Sequence, residues 1–573
     1  MLSKCNTLHF YLEHEITQIN LMSKYIIGID TGGTYTDAVL LDSNSKTVLA
    51  TAKEPTTHHC LALSTGKALA TLLEKSGVHK TDISQLALST TLATNAVIEQ
   101  KGARVAAFVI GYVKQFKLPI SGTVFIKGGH DISGKEEEGL DIDSIVDTIQ
   151  ELRNEVDAYA ICSAMSMTNP NHELVTEKAI SMLDPKPVFC SHRVSQHAGI
   201  RERAATAALH AKLMPLMQDF ISGVQEALTK NDLHCPVVLI TGNGDQVSLA
   251  DATDQAGITV ASGPACTAGF GASQDTDFAL VVDVGGTTTD IAMIENGEMV
   301  LSQDGCKIGE WETHMESVDM FTGGIGGDSH VLVDNNGKIE IGPSRVIPLS
   351  MAKGFPNCTS WLGTELKSKC IALLPGLNAD THNDPVIYTL AANGPSTADS
   401  IRQQTGFSGV PLNIRLEQLS RSQKILETGF TPTDALHVLG LINIGDSSKA
   451  ETGAKVLAAL LDMDSKHFCE KIITMTEDLI ENLLIDYIIH RYWGKSLTNF
   501  ISTRNDHPVL GVQFSMKIPL IGIGAAARYF LPRVAERLGT MVDFPEYCEV
   551  GNGVGAALLG GKQQQQNNPL TEE

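Results

Sequence analysis

Two short stretches hold the residue types that handle a phosphate group. Asp30-Thr31-Gly32-Gly33-Thr34 and Asp283-Val284-Gly285-Gly286-Thr287-Thr288 share an Asp, two Gly and a Thr at constant spacing, and a second Asp, Asp37 or Asp290, follows each. Paired glycines let backbone N–H groups come close to phosphate oxygens, and threonine hydroxyls add donors. The leading aspartates, Asp30 and Asp283, are the candidate metal ligands, since a strand-end carboxylate can hold Mg²⁺ through water. A plain tight turn is the alternative for one copy. Two copies in matching context favour a ligand.

Each copy needs two strands to hold its turn. Apolar runs at Tyr25 to Ile29 and Leu280 to Val282 enter the turns, and Ala38 to Leu41 and Ile291 to Ile294 leave them, the pattern of a β-hairpin. The repetition predicts two related α/β halves. No GxxxxGK[ST] string is present: Ser64-Thr65-Gly66-Lys67 lacks the first glycine, and no GxGxxG follows the first strand. A third element, IPLIGIGAAARYFLPRVAERLG at 518 to 539, predicts a strand, a turn at Gly522 and Gly524, and a helix opening on small residues from Ala525. Backbone there can lie flat against a nucleoside, or the stretch is an ordinary βα unit. Further on, GNGVGAALLGG at 551 to 561 predicts a closing helix with small residues on its packing face.

Composition limits the partners. The 573 residues carry 66 acidic and 43 basic side chains, a net charge of −23, so the surface field repels nucleic acid and anionic lipid. The 43% hydrophobic content is that of an ordinary globular chain. Eleven cysteines include no CxxC pair, which excludes the usual zinc and cluster clamps and predicts a reducing, cytoplasmic setting. No apolar run reaches the roughly 18 residues of a membrane span. Residues 1 to 21 read as a tail or an over-extended translation start, and the glutamine-rich end as an unfolded tail.

Other polar groups carry weaker signals. Gly128-Gly129-His130-Asp131 could place an imidazole and a carboxylate as metal ligand or general base, but a solvated turn is the preferred reading, with Glu136, Glu137 and Glu138 exposed. Arg201-Glu202-Arg203 opens a long helix, where a surface ion pair is as plausible as a function. His314 and Asp319 lie in THMESVDMF. The helix at 475 to 493, apolar at Leu479, Leu483, Ile485 and Ile489, reads as core packing or a subunit contact, with His490 at its surface.

The order of phosphate hairpin, second phosphate hairpin and glycine-rich turn resembles the actin, Hsp70 and sugar-kinase ATPase superfamily. That resemblance implies an α/β fold of two related actin-like (ribonuclease H-like) ATPase halves with nucleotide in an interdomain cleft. It also implies that Gly326 and Gly327, in GGIGGDS, occupy the superfamily's GG-acidic turn. Three further blocks, LSTTLATNAVIEQKGARVAAFVIGY at 88 to 112, SHRVSQHAGIRERAATAALHAKLMPLM at 191 to 217 and VVLITGNGDQVSL with VASGPACTAGFGAS at 237 to 273, resemble the A subunit of the hydantoinase/oxoprolinase family. The family's unbroken GGGS is interrupted here by Ile325.

This resemblance implies an N-terminal domain at 23 to 193 and a hydantoinase A domain at 194 to 562, flanked by tails at 1 to 22 and 563 to 573. It implies ATP and Mg²⁺ as cofactors, hydrolysis of a cyclic amide by phosphorylation of the amide oxygen, a B-type partner subunit and an oligomer. Thr90, Thr91 and Asn95, with Thr94, would orient the amide, although threonine N-capping accounts for them equally. A small-molecule kinase, a carboxylase subunit and a non-catalytic nucleotide switch are the competing readings.

Overall fold

The computed structural model describes residues 24 to 562 except 34, 58–60, 99–100, 194–197, 303–304, 309–310, 335, 364–367, 378–383, 422–423, 505–508 and 510. Thr34 of the first hairpin and both predicted tails lie outside the described residues. The chain forms two compact units, Met1–Thr276 with Gly297–Asp319 and Val550–Glu573, and Asp277–Asn296 with Met320–Glu549. Among the described residues no helix is long and apolar enough to cross a membrane.

The first unit is built on two sheets. Strands β1 (Tyr25–Thr31), β2 (Tyr35–Asp42), β3 (Val48–Pro55) and β4 (Ile83–Thr90) join β9 (Val237–Ile240) and β10 (Gln246–Ser248) in the order β10-β9-β4-β1-β2-β3. β1 runs antiparallel to β2 and parallel to β4, and β4 is parallel to β9. The second sheet, β6-β5-β7-β8, is parallel throughout and comprises β5 (Val105–Ile110), β6 (Gly122–Ile126), β7 (Ala158–Ser163) and β8 (Val188–Cys190). Every residue of VAAFVI and AYAICS is buried. Strands covered on both faces need such unbroken apolar runs rather than alternation.

Helices α1 (Leu61–Ser76), α2 (Leu92–Ile98), α3 (Asn171–Leu183) and α4 (Ile200–Lys230) connect and cover these sheets. Two small-residue helices then close over β1: α5 (Ser262–Ala272) and the C-terminal helix, Gly551–Gly560. A Cβ on Gly28 would collide with the carbonyl of Gly553, and one on Gly555 with the carbonyl of Cys266. Strand and helices therefore touch backbone to backbone, which is what the small-residue pattern of these segments provides.

The second unit repeats the hairpin. β11 (Phe278–Val284) and β12 (Thr289–Glu295) are antiparallel, and β13 (Met320–Gly323) pairs with β12. β11 also pairs in parallel with β18 (Leu520–Ile523), which pairs with β19 (Val542–Asp543). β14 (Ser329–Val333) and β15 (Ile339–Arg345) form a ribbon, and a small mixed sheet includes β16 (Cys370–Leu373) and β17 (Ile425–Gly429). Helices α6 (Pro432–Val438), α7 (Ser447–Ala459), α8 (Ser465–Trp493) and α9 (Ala527–Arg537) pack around them. α8 starts where the Asp464 carboxylate accepts from Lys466 N and His467 N, and stops at Gly494 with φ +63°. The last helix among the described residues is α10 (Gly551–Gly560).

Candidate functional site

The two Asp-Gly-Gly turns share one backbone design. In the first, Thr31 pairs with Thr36 and Gly32 N donates to Tyr35 O at 3.1 Å. In the second, Val284 pairs with Thr289 and Gly285 N donates to Thr288 O at 2.9 Å. Asp30 lies opposite Asp37 and Asp283 opposite Asp290, so both leading aspartates sit inside the paired strand. None of Gly32, Gly33, Gly285 or Gly286 has positive φ. Gly32, Gly285 and Gly286 serve close approach rather than left-handed backbone.

In the first unit Gly33 is exposed and open, with no atom within 4 Å of where its Cβ would be. Asp30 is 5% exposed and its Oδ1 has no hydrogen-bond partner. Burial pushes its carboxyl up to about 6, with Ser89 and Asn552 beside it pulling the other way, Asp37 adding repulsion and Lys53 opposing that. Asp37 is paired with Lys53 at 2.8 Å. A hard, buried, incompletely satisfied oxygen is the donor type a divalent cation takes, and cation binding would restore the charged form.

A strand and two helix starts meet at Asp30. Register places Ser89 of β4 beside it, and the Ser89 hydroxyl is fully buried without a partner. A Cβ on Gly263, in the first turn of α5, would stand 4.0 Å from both Asp30 Oδ1 and Ser89 Oγ. Asn552, at the start of α10, accepts from Thr267 Oγ1 of α5 at 2.6 Å. Ser89, Gly263 and Asn552 were not expected as site residues. The SGPA and GNG glycines were the available signal, because such clusters let backbones approach a common point.

The expected acceptor threonines are spent on the backbone. Thr90 Oγ1 accepts from Leu92 N, capping α2, and Thr90 N and O both bond Ser262 Oγ. Thr91 Oγ1 donates to Thr31 O at 3.1 Å and accepts from Asn95 Nδ2 at 3.1 Å. Thr94 Oγ1 accepts from Ala261 N. The cluster thus ties the end of β1 to the starts of α2 and α5. Thr31 is fully buried, its hydroxyl 3.1 Å from that of Thr65.

In the second unit the turn at 323 to 329 docks on the hairpin. Gly327 N donates to Gly285 O and Asp328 N to Gly286 O, at 3.0 and 2.7 Å. A Cβ on Gly326 would lie 2.6 Å from Gly285 O, and one on Gly286 2.5 Å from Asp328 Oδ2. Burial raises the Asp328 carboxyl, opposed by Arg345 at 3.4 Å and by the Thr433 hydroxyl at 3.2 Å. Thr287 is exposed, and Thr288 Oγ1 donates to Asp290 Oδ2 at 3.3 Å. Asp328 is the acid of the GG-acidic turn, whereas Arg345 and Thr433 had no motif to mark them.

The third motif reaches the same place. Gly524 has φ +88°, and a Cβ there would lie 2.5 Å from Asp283 Oδ1. Ala526 N donates to Val284 O at 3.3 Å, and Ala525 is exposed. Asp283, Gly285, Gly286, Gly326, Gly327, Gly524 and Ala525 are therefore gathered at one end of β11. Gly522 differs: it is buried inside β18, where a Cβ would strike the Phe544 ring.

Two weaker expectations are corrected. His130 is not in a solvated turn: it is 3% exposed, its ring 4.3 Å from that of His172, which bonds Glu136 at 3.0 Å. The residues that bury it are Gly128 and Gly129, whose positive φ folds the loop back toward Ile110 and Ala164. Asp131 bonds Ser133 and Lys135 and stays outside. Arg203 is not a surface ion: it is fully buried and donates to Ser166 Oγ, Ser191 Oγ and Ser163 O. Glu173 completes this network, accepting from Ser163 N, Ser191 Oγ and His192. With those bonds made, Glu173 and Arg203 pin the ends of β7 and β8 together.

The sequence matches two consecutive family regions, the hydantoinase/oxoprolinase N-terminal region over residues 26–183 and the hydantoinase/oxoprolinase region over 203–503. The chain belongs to the hydantoinase/oxoprolinase family. Its relatives include caprolactamase subunit alpha of Pseudomonas jessenii, 27% identical over 464 residues covering 72% of this chain and 65% of that one. Acetophenone carboxylase gamma subunit of Aromatoleum aromaticum is 26% identical over 362 residues, covering 55% and 49%. The chain thus spans less than two thirds of the length of either relative. Among solved structures, nucleotide-free acetone carboxylase superposes with a TM-score of 0.64 at 18% identity, and ATP-dependent caprolactamase from Pseudomonas jessenii with 0.59 at 22%. Each comparison covers 93% of this chain and 70% of the other, and at these identities the likeness is one of fold.

Proposed function

We propose that this chain binds ATP and Mg²⁺ through its two Asp-Gly-Gly hairpins and uses them, as an A-type subunit, to open a cyclic amide such as a hydantoin, 5-oxoproline or another lactam. The observation that carries the reading is the repeated register: a carboxylate at the same position of each hairpin, above a turn whose glycines clear space for phosphate. The two units are read as actin-like halves. The name of the caprolactamase relative supports an amide as acceptor, and its subunit status supports a B-type partner. A cytoplasmic setting is part of this reading.

Each residue set has a role in this reading. The turns from Thr31 to Thr34 and from Gly285 to Thr288 are the phosphate-binding segments in this reading: Gly32 N and Gly285 N close the turns, and exposed Gly33 and Thr287 face the phosphate. Gly326 and Gly327 brace the second turn, and Gly524 and Ala525 form the nucleoside side. Asp30 and Asp283 would hold Mg²⁺ or its waters, and the ion would supply neutralisation of phosphate charge. Thr90, Thr91 and Asn95 position the acceptor loop.

The chemistry answers the poor reactivity of an unstrained amide. The amide oxygen attacks the γ-phosphorus, and the bond from that phosphorus to the leaving ADP breaks. Water adds to the activated carbon, the C–N bond opens to an acyl phosphate, and a second water releases phosphate. Positioning and charge neutralisation are what such transfers ask of the protein.

The test is phosphate release from ATP by this chain together with a B-type subunit, over a panel of hydantoin, 5-oxoproline and larger lactams. One member is expected to stimulate release in step with ring opening. A folded complex that no lactam stimulates overturns the reading. The likeness to acetophenone and acetone carboxylases supports a second one, in which bicarbonate is the acceptor and stimulation requires a ketone.

A further inference from the structure

The second unit contains a cavity of about 240 Å³ between the Leu349–Trp361 segment, β17 and α7. Trp361, 4% exposed, forms one wall, with Leu349, Ala352, Phe355 and Pro356 completing an apolar lining. At ~30 Å³ per water-sized atom, that volume holds roughly eight non-hydrogen atoms.

The polar lining is one-sided. The hydroxyls of Ser448 and Thr452 donate to Asp446 Oδ1 and Ser448 O, and that of Thr428 to Ile347 O, so their protons are spent within the protein. Lys449 is the cation of the lining, and its Nζ donates to Ala352 O at 2.6 Å. An ammonium has three N–H donors, which leaves two for a ligand. It also lies close enough to Cys358 to oppose the burial that raises that thiol. No acidic residue lines the cavity.

We infer that this cavity binds a small monocarboxylate with an unbranched or ring-shaped apolar body, its carboxylate on Lys449 and its body against Trp361. No residue of the phosphate hairpins lines it, so the site stands apart from them.

Hexanoate, with eight non-hydrogen atoms, is the probe, and 1-hexanol its uncharged counterpart. Binding to the full chain is measured by calorimetry, with circular dichroism and melting confirming that each variant is folded. Saturable hexanoate binding is expected, at least tenfold weaker in Lys449→Met, while hexanol binds the parent and Lys449→Met alike and more weakly than hexanoate binds the parent. Thr452→Trp, at a half-buried lining position on α7, fills part of the cavity and should abolish hexanoate binding. No binding by the parent, equal binding by Lys449→Met, or unaltered binding by Thr452→Trp overturns the inference. None of these outcomes depends on ATP.

Discussion

Gly524 stands directly against Asp283: a Cβ on this glycine would lie 2.5 Å from the carboxylate Oδ1 and 2.7 Å from Val284 O. The strand-end acid of the second hairpin is thus held in place by the turn that follows β18, more than two hundred residues later in the chain. Gly524→Ala should cost stability, since φ is +88° there as well, by about 1–3 kcal/mol. It should also lower nucleotide affinity by displacing Asp283. Denaturant midpoints and ATP calorimetry on the same variant measure the two effects.

The two hairpins should respond differently to the same substitution. Gly33 has open space around it and no positive φ, so Gly33→Val should melt with the parent and lose ATP affinity alone. Gly286 abuts the Asp328 carboxylate, so Gly286→Val should lower both. If melting temperatures shift equally in the two variants, the packing described for these turns is wrong.

Asp30 should make stability depend on pH in a defined direction. Its carboxyl is raised by burial from 3.8 to about 6, so the folded protein holds this proton more tightly than the unfolded chain. The contribution is fully present below pH 3.8 and is lost as pH rises through about 6. Asp30→Asn removes it, so the variant should gain on the parent between pH 4 and 6, by on the order of 1–3 kcal/mol, and hold that gain above pH 6. Urea midpoints across this range, without Mg²⁺, decide. A gain that grows toward acid pH contradicts the environment described for Asp30.

Gly522 and Ala525, read together as one nucleoside turn, should separate. Gly522→Ala meets the Phe544 ring and should cost about 1–3 kcal/mol of stability through overpacking. Ala525→Trp, at an exposed position, should leave stability alone and weaken ATP and ADP alike. Nucleotide affinity unchanged in Ala525→Trp moves the nucleoside elsewhere.

Arg203→Met should destabilise the first unit by about 3–5 kcal/mol, because it strips the donors from Ser163 O and two buried hydroxyls beside the buried Glu173. Chemical denaturation followed by far-UV circular dichroism reads this directly.

What was legible in the sequence was local. The hairpins and the strand near 520 are written in apolar runs interrupted by Gly and Thr, and the structure has them there, although of the two glycines expected in the third turn only Gly524 is in it and Gly522 lies inside β18. What was not legible was where polar side chains point. Arg203 looked like a helix-surface charge because neither Ser166 nor Ser191 is near it in sequence. His130 looked solvated because the glycines before it read as flexibility rather than as the left-handed backbone that folds the loop inward. On α8 the expected apolar face included Leu479, which is 38% exposed, while Ile480 and Leu484 are buried. A helix of 29 residues satisfies several apolar spacings, and only its neighbours choose among them.

The central claim is that the carboxylates opening the hairpins, Asp30 and Asp283, serve Mg²⁺-dependent ATP binding. Calorimetric titration of ATP into the full chain, with and without Mg²⁺, tests it on the parent, Asp30→Asn and Asp283→Asn. The account predicts one Mg²⁺-dependent site in the parent, weakened at least tenfold in each variant while circular dichroism shows both folded. Binding that persists unchanged in both variants, or that ignores Mg²⁺, contradicts it.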